Sequence, residues 1–287
     1  MYHLCLYDDH LENVKALGYI PVGLGRENFR SEWLRDNKGK NISHKNSYYG
    51  EYSFYYWFWK NKLDNIPDNK WIGFSHYRYH WSNQDKIKSD DLNSLVNSNN
   101  YSRYILKEPH PTWKNYQVIL GDHMYVNHGY KLSKCIKNSY STFKILKENI
   151  FAFKKENQNI KLHFDFFHGV GILDKAISVL DENEKNDFRK FVNTNKSFNR
   201  ENMFICRSKK LMNEYFLSVF TWLEKCELIF GFDLKGYAKI RLYTFLAERY
   251  ISYWFNKYSN PLCWPVFFFD TNKNKLNLGV RQKMSLV

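Results

Sequence analysis

Five short apolar runs, most of them opening onto ionisable residues, constrain the fold more than any other feature of the chain. They cover residues 2–7, 19–24, 71–75, 117–121 and 203–206. The first leads into Asp8-Asp9-His10, the second is bounded by Gly18 and Gly25, and the third delivers His76-Tyr77-Arg78. The fourth ends in Asp122-His123, and Asn202 stands at the edge of the fifth. Runs of this length, bounded by turn formers, read as buried strands. Helical spacing fills the intervals. A helix is expected from Ser43 or Ser47 to Lys60, with Tyr48, Tyr52, Tyr55, Tyr56 and Trp59 recurring along it. Further helices are expected over 131–157, 171–192, 209–230 and 234–256. Strands alternating with helices, then helices alone, predict an α/β fold with a mainly helical C-terminal half. The expected division is 1–207 for the α/β part and 208–287 for a helical region packed on it and completing the site.

Ligands of open α/β sheets bind beyond the carboxyl ends of the strands. The residues to weigh are therefore Asp8, Asp9, His76, Arg78, Asp122, His123 and Asn202. The net charge of +14 asks for an acidic partner. Because the basic residues are spread along the chain rather than massed in blocks, nucleic acid is not the expected one. Nucleotide diphosphates and an anionic membrane surface both fit. The five cysteines are scattered and form no C-x-x-C pair, so neither a zinc knuckle nor a disulfide framework is indicated, and a cytoplasmic location is expected. Residues 1–9 do not read as a signal peptide, and no run is long and apolar enough to span a membrane.

Several blocks carry a family resemblance. Residues 19–25 read Y-I-P-V-G-L-G, residues 35–52 read R-D-N-K-G-K-N-I-S-H-K-N-S-Y-Y-G-E-Y, and Y-W-F-W-K-N and I-G-F-S-H-Y-R-Y follow. Later come E-N-M-F-I-C-R from Glu201 and R-L-Y-T-F-L-A-E-R from Arg241. Together they resemble a bacterial family of capsule and exopolysaccharide glycosyltransferases long catalogued as a domain of unknown function. The chain departs from that pattern at Tyr79, where an arginine is common, and at Gly121-Asp122. The resemblance implies a GT-A-like nucleotide-binding mixed sheet flanked by helices. It also implies a nucleotide-sugar donor, a UDP-sugar such as UDP-galactofuranose. The acceptor would be a saccharide or lipid-linked saccharide in cell-surface polysaccharide synthesis, at the cytoplasmic face of the inner membrane.

The residues sharpen this expectation. Where many GT-A enzymes place a metal-binding D-x-D, the third run ends in His76-Tyr77-Arg78. Arg78 is a permanent cation able to bind phosphate bidentately, so leaving-group charge is expected to fall on Arg78, His76 and Lys45, with no manganese or magnesium required. The alternative is that Arg78 pairs with a buried carboxylate and His76 merely packs. Asn41, Lys45 and Asn46 stand at a predicted helix N-terminus, which suits an anion or simply caps the helix. Asp8 is a weaker candidate for the base or ribose. Asp122 and Glu248 are the candidate catalytic bases, Glu248 being equally readable as a salt-bridge partner of Arg241 or Arg249. His123, Asn202 and Arg241 complete the candidate set. Two further patterns, His163-x-Asp165-x2-His168 and Asp122-His123-x4-His128, can be drawn as metal sets and would favour a metal-dependent hydrolase or phosphotransferase. A non-catalytic glycan- or nucleic-acid-binding module is the other alternative. Phe267 to Phe269 and the basic tail are candidates for membrane contact.

Overall fold

The fold was analysed in a computed structural model that describes residues 1–87, 99–127, 129–270 and 275–277. The expected runs form β1 (Tyr2–Cys5), β2 (Ile20–Gly23), β4 (Ile72–His76), β6 (Val118–Gly121) and β9 (Phe204–Cys206). The sheet also takes in β3 (Leu34–Arg35), β5 (Tyr79–Trp81), β10 (Leu262–Trp264), β11 (Val266–Asp270) and β12 (Lys275–Asn277). Its main path runs β10-β6-β9-β4-β1-β2-β3. β1 is parallel to both β2 and β4, and β10 to β6, whereas β9 runs antiparallel between β4 and β6. This is the mixed sheet flanked by helices that the resemblance implies. A separate ribbon pairs β7 (His123–Tyr125) with β8 (Ser197–Asn199).

The helices are α1 (Leu11–Ala16), α2 (Asn46–Tyr49), α3 (Tyr52–Asn61), α4 (Leu132–Lys137), α5 (Ser139–Glu148), α6 (Ile160–His168), α7 (Ile172–Ser178), α8 (Glu182–Thr194), α9 (Lys209–Phe230), α10 (Tyr237–Ile240) and α11 (Leu242–Tyr258), beside a single helical turn at Gln84–Ile87. Alternate strand residues face opposite sides of a sheet. Val118, Leu120, Phe204 and Cys206 accordingly point into the layer built by α3, α9 and α11. Ile119 and Ile205 point into the other layer, with Trp81, Trp113 and Trp264. The aromatic stripe of α3 is core. Tyr52, Phe54, Tyr55 and Phe58 are buried, and Phe58 and Tyr55 contact Phe74 of β4 with ring centroids 5.3 and 4.6 Å away.

Three expectations change. The helix expected through residues 43–60 is interrupted at Gly50, whose φ of +53° and ψ of −129° lie outside the helical region. Those angles suit a residue without a Cβ. The expected helices 131–157, 171–192 and 234–256 are each broken in two. Most consequentially, Phe267 to Phe269 belong to β11, which pairs with β5 and β12. Phe267 and Phe269 are buried, and Phe269 stacks on Tyr101 at 4.6 Å. That apolar patch fills the sheet and is not presented to a membrane; the basic tail lies outside the described residues apart from Lys275–Asn277.

A Cβ added to Gly50 would sit 2.8 Å from Thr244 Oγ1 and 3.3 Å from an Arg241 guanidinium nitrogen. With the positive φ, Gly50→Ala is expected to lower the unfolding free energy by about 1–3 kcal/mol. Urea unfolding measures this, and an unchanged midpoint would show that the break tolerates a side chain.

Candidate active site

The parallel strands β1, β2 and β4 end on one edge of the sheet, where Leu4, Leu6, Leu24 and His76 line a cleft of about 270 Å³. Since β9 runs the other way, its amino-terminal approach, Glu201-Asn202, reaches the same edge. The helix break adds Gly50 and Glu51 to the lining. Arg241, Thr244, Phe245 and Glu248 enter from the start of α11, with Tyr237 of α10 at the rim. The cleft thus draws on six separated segments.

Two guanidinium groups face it. Arg78 follows β4 and lies over the Tyr77 and Phe268 rings at 4.7 and 5.6 Å, with its Nε buried and without a hydrogen-bond partner. Arg241 is held near Gly50 and over Tyr237 at 5.8 Å. Among the described residues neither makes an ion pair. No described carboxylate is therefore paired with Arg78. His76 stands between these cations, and its Nε2 is buried without a partner. Burial, then Arg241 and Arg78, push its pKa down to about 3. His76 is thus a neutral hydrogen-bonding group near pH 7 and not a source of positive charge.

A family model described as a domain of unknown function, DUF4422, matches residues 5–260. The chain belongs to this family. Among solved structures, the apo form of a bifunctional glycosyltransferase, WbbM, is similar with a TM-score of 0.55 at 18% identity. The alignment covers 93% of this chain and 45% of that one, so this chain spans less than half of the WbbM chain. At that identity the likeness establishes the fold. No protein of curated function matches the sequence.

The acidic wall of this DUF4422 chain is made by Glu51, Glu201 and Glu248. Glu248 accepts the Glu201 backbone N–H at 2.8 Å and an Arg249 guanidinium N–H on its other oxygen. Arg249 is buried beneath it, stacked on Phe198 at 4.4 Å. Burial pushes the Glu201 carboxyl up to about 8, and the neighbouring Glu248 raises it further while Arg200 opposes the rise. Burial also raises Glu248, against the pull of Arg249 and the Glu201 N–H. The pair is arranged so that Glu248 is the better-supported anion and Glu201 the better proton holder. Glu51 is likewise raised by burial and accepts from Asn202 Nδ2 at 2.5 Å. Glu201 and Asn202 are consecutive left-handed residues, at φ +68° and +53°, each costing about 1–3 kcal/mol where it lacks compensation.

Of the residues expected from sequence, Asn46, His76, Arg78, Asn202, Arg241 and Glu248 line the cleft. Five others do not. Lys45 donates to both oxygens of Glu227 at 2.7 and 2.8 Å, and Tyr49 donates to the same carboxylate. Asp8 is paired with Arg30 at 2.8 Å, and Asn41 is spent on Gly39 and Ser43. Asp122 lies behind the wall beside Arg200 at 3.8 Å, its carboxyl pushed up to about 6 by burial. His123 contacts Cys263 at 3.3 Å. Asn46 itself is tied to the Gly50 carbonyl and Ser53 at 2.9 Å, so it holds the helix break.

Nor do the drawn metal sets converge. Asp165 pairs with Lys161, and His163 with Arg249, while His168 bonds the Ala238 carbonyl at 3.0 Å and stacks on Phe245. His128 lies outside the described residues. Among those described, no three His, Cys, Asp or Glu side chains are placed to hold a metal ion. Glu51, Glu201 and Tyr79 were not among the site candidates expected from sequence, although all three stand inside the blocks that carry the resemblance.

The raised Glu201 pKa sets a sign for stability. Unfolded, its carboxyl titrates near 4.5, whereas folded it holds its proton to about 8. Between those values the folded state binds the extra proton, so stability falls as pH rises. Glu201→Gln should flatten this slope and be more stable than wild type at the alkaline end. Urea midpoints across the window test it, and parallel profiles for the two proteins would refute the assignment.

Proposed function

We propose that this protein transfers a glycosyl unit from a nucleoside diphosphate sugar to a hydroxyl group of a saccharide acceptor. The observation that carries this reading is the meeting, in one cleft, of two arginines that have no ion-pair partner among the described residues with the half-buried Glu201–Glu248 pair. Breaking the bond between the anomeric carbon and the diphosphate leaves new negative charge on phosphate oxygen. Arg78 and Arg241 meet that charge with fixed donors, and neutral His76 adds a hydrogen bond. The acceptor oxygen forms the new bond to the anomeric carbon, and its proton passes to Glu248. Glu201, protonated, keeps the acidic wall from carrying two adjacent charges.

The WbbM likeness supports this reading through the fold, and the sequence motifs supply its finer terms. These are a UDP-sugar donor, UDP-galactofuranose among them, and a growing cell-surface polysaccharide as acceptor on the cytoplasmic side. The arginines take the part that a divalent metal has in other transferases, so function is expected to persist in EDTA.

Calorimetry with UDP, GDP, CDP and CMP, each with manganese or EDTA, tests the donor class. One diphosphate should bind selectively in EDTA. Arg78→Ala and Arg241→Ala should each weaken it about tenfold or more, the size of a charge-assisted hydrogen bond lost. Unchanged affinity in both variants overturns the phosphate assignment. Glu248→Gln should retain nucleotide affinity and lose about 10²–10⁴-fold in turnover, while turnover near the wild-type rate would remove Glu248 from the chemistry.

A further inference from the structure

Away from the cleft, the chain spanning α4, α5 and the turn after them leaves unusually large apolar side chains in solvent. Leu132, Ile136, Tyr140, Phe143, Ile150 and Phe151 are between 52% and 76% exposed. Isolated surface hydrophobics need no explanation, but six within twenty residues form a concentration that stable surfaces avoid. The hairpin is nevertheless anchored. Ile145 and Ala152 are buried against Phe166 of α6, and Tyr130 and Phe153 contact the same ring at 4.3 and 5.7 Å. The exposed groups are thus the outward side of an ordered element whose inward side is already satisfied.

The charge of this segment identifies what covers it. Residues 131–155 contain seven lysines and one acidic residue, Glu148. All seven lysines are exposed. Lys144 lies over the Tyr140 ring at 4.7 Å and Lys154 over Phe151 at 4.4 Å, so cation and aromatic share one surface. The cores of protein–protein interfaces are depleted in lysine. Interleaved lysine and aromatic or aliphatic groups are what an interfacial helix presents to lipid, apolar groups entering the acyl boundary while ammonium groups meet anionic headgroups. No helix among the described residues is long and apolar enough to cross a membrane, so the contact would be from the side.

We infer that the 131–155 hairpin docks this protein on an anionic lipid bilayer. The surface is coupled to the cleft by a short path: α5 packs on α6, and His168 of α6 stacks on Phe245, a cleft residue, at 4.1 Å. Docking there holds the cleft near the bilayer, where a lipid-linked acceptor would lie. The inference itself rests on the hairpin alone and not on the reading of the cleft.

Flotation of the full chain with vesicles tests it. Wild type should float with phosphatidylcholine–phosphatidylglycerol vesicles and not with phosphatidylcholine alone, and salt should release it. The Ile136→Ser/Phe143→Ser/Ile150→Ser and Lys137→Glu/Lys144→Glu/Lys147→Glu variants should each lose at least about tenfold in partitioning. Both sets lie on the surface, so unchanged thermal unfolding and nucleotide binding would show that fold and cleft are intact. Three results would overturn the inference. One is the absence of flotation with anionic vesicles, and another is wild-type partitioning by both variants. The third is a dimer in sedimentation velocity that the serine variant dissolves, which would assign the face to a second copy.

Discussion

Asn202 is where the two senses of the sheet are joined. Its side-chain oxygen accepts from Tyr52 at 3.2 Å and its backbone carbonyl from Tyr55 at 3.0 Å. Its amide donates to Glu51 and, at 3.4 Å, to the Thr244 carbonyl. These partners come from α3, the helix break before it, and α11. A left-handed asparagine in a core survives only where its surroundings over-determine it, and here several hydrogen bonds in a low-dielectric setting do so. The reversal of the chain into β9 depends on this turn. With it comes the placement of Glu201 at the edge where the parallel strands deliver His76 and Arg78.

The electrostatics of the cleft follow from that geometry. Arg78 and Arg241 face the cleft, while Arg200 and Arg249 lie buried behind the carboxyl groups. Arg249 is close enough to Glu248 to hold it as an anion. Burial acts on every group in the opposite sense, favouring neutral forms. The outcome differs residue by residue. His76, flanked by cations, is neutral, and Glu201, flanked by a carboxylate, keeps its proton. Glu248, with Arg249 and a backbone N–H beside it, retains the best claim to charge. The cleft therefore combines fixed positive charge with a carboxylate that has a protonated neighbour.

Two apolar stretches show how little composition says about exposure. Val266 to Phe269 looks suited to a membrane, yet β5 and β12 pair with it and Tyr101 stacks on it. The 131–155 segment looks like ordinary helix, yet Tyr140, Phe143 and Phe151 stand in solvent among lysines. The difference lies in what the remainder of the chain brings alongside each stretch.

Local signals were sufficient for the strands and for the polar residues they deliver. An apolar run of four to six residues can be buried only as a strand or a helix, and its end is visible in the sequence, which is why His76, Arg78 and Asn202 were legible. Arg241 and Glu248 were legible through the motif spacing on one helix. The tertiary structure alone decided which charges remain free. Lys45 looks like a phosphate ligand until it meets Glu227, 182 positions away. Asp122 looks like a base until it is found beside Arg200 and outside the lining of the cleft. Glu51 and Glu201 gave no local sign, because a carboxyl group acquires its chemistry from burial and from neighbours on other elements. Strand and helix formation are short-range properties of the chain, whereas desolvation and ion pairing are set by distance in space.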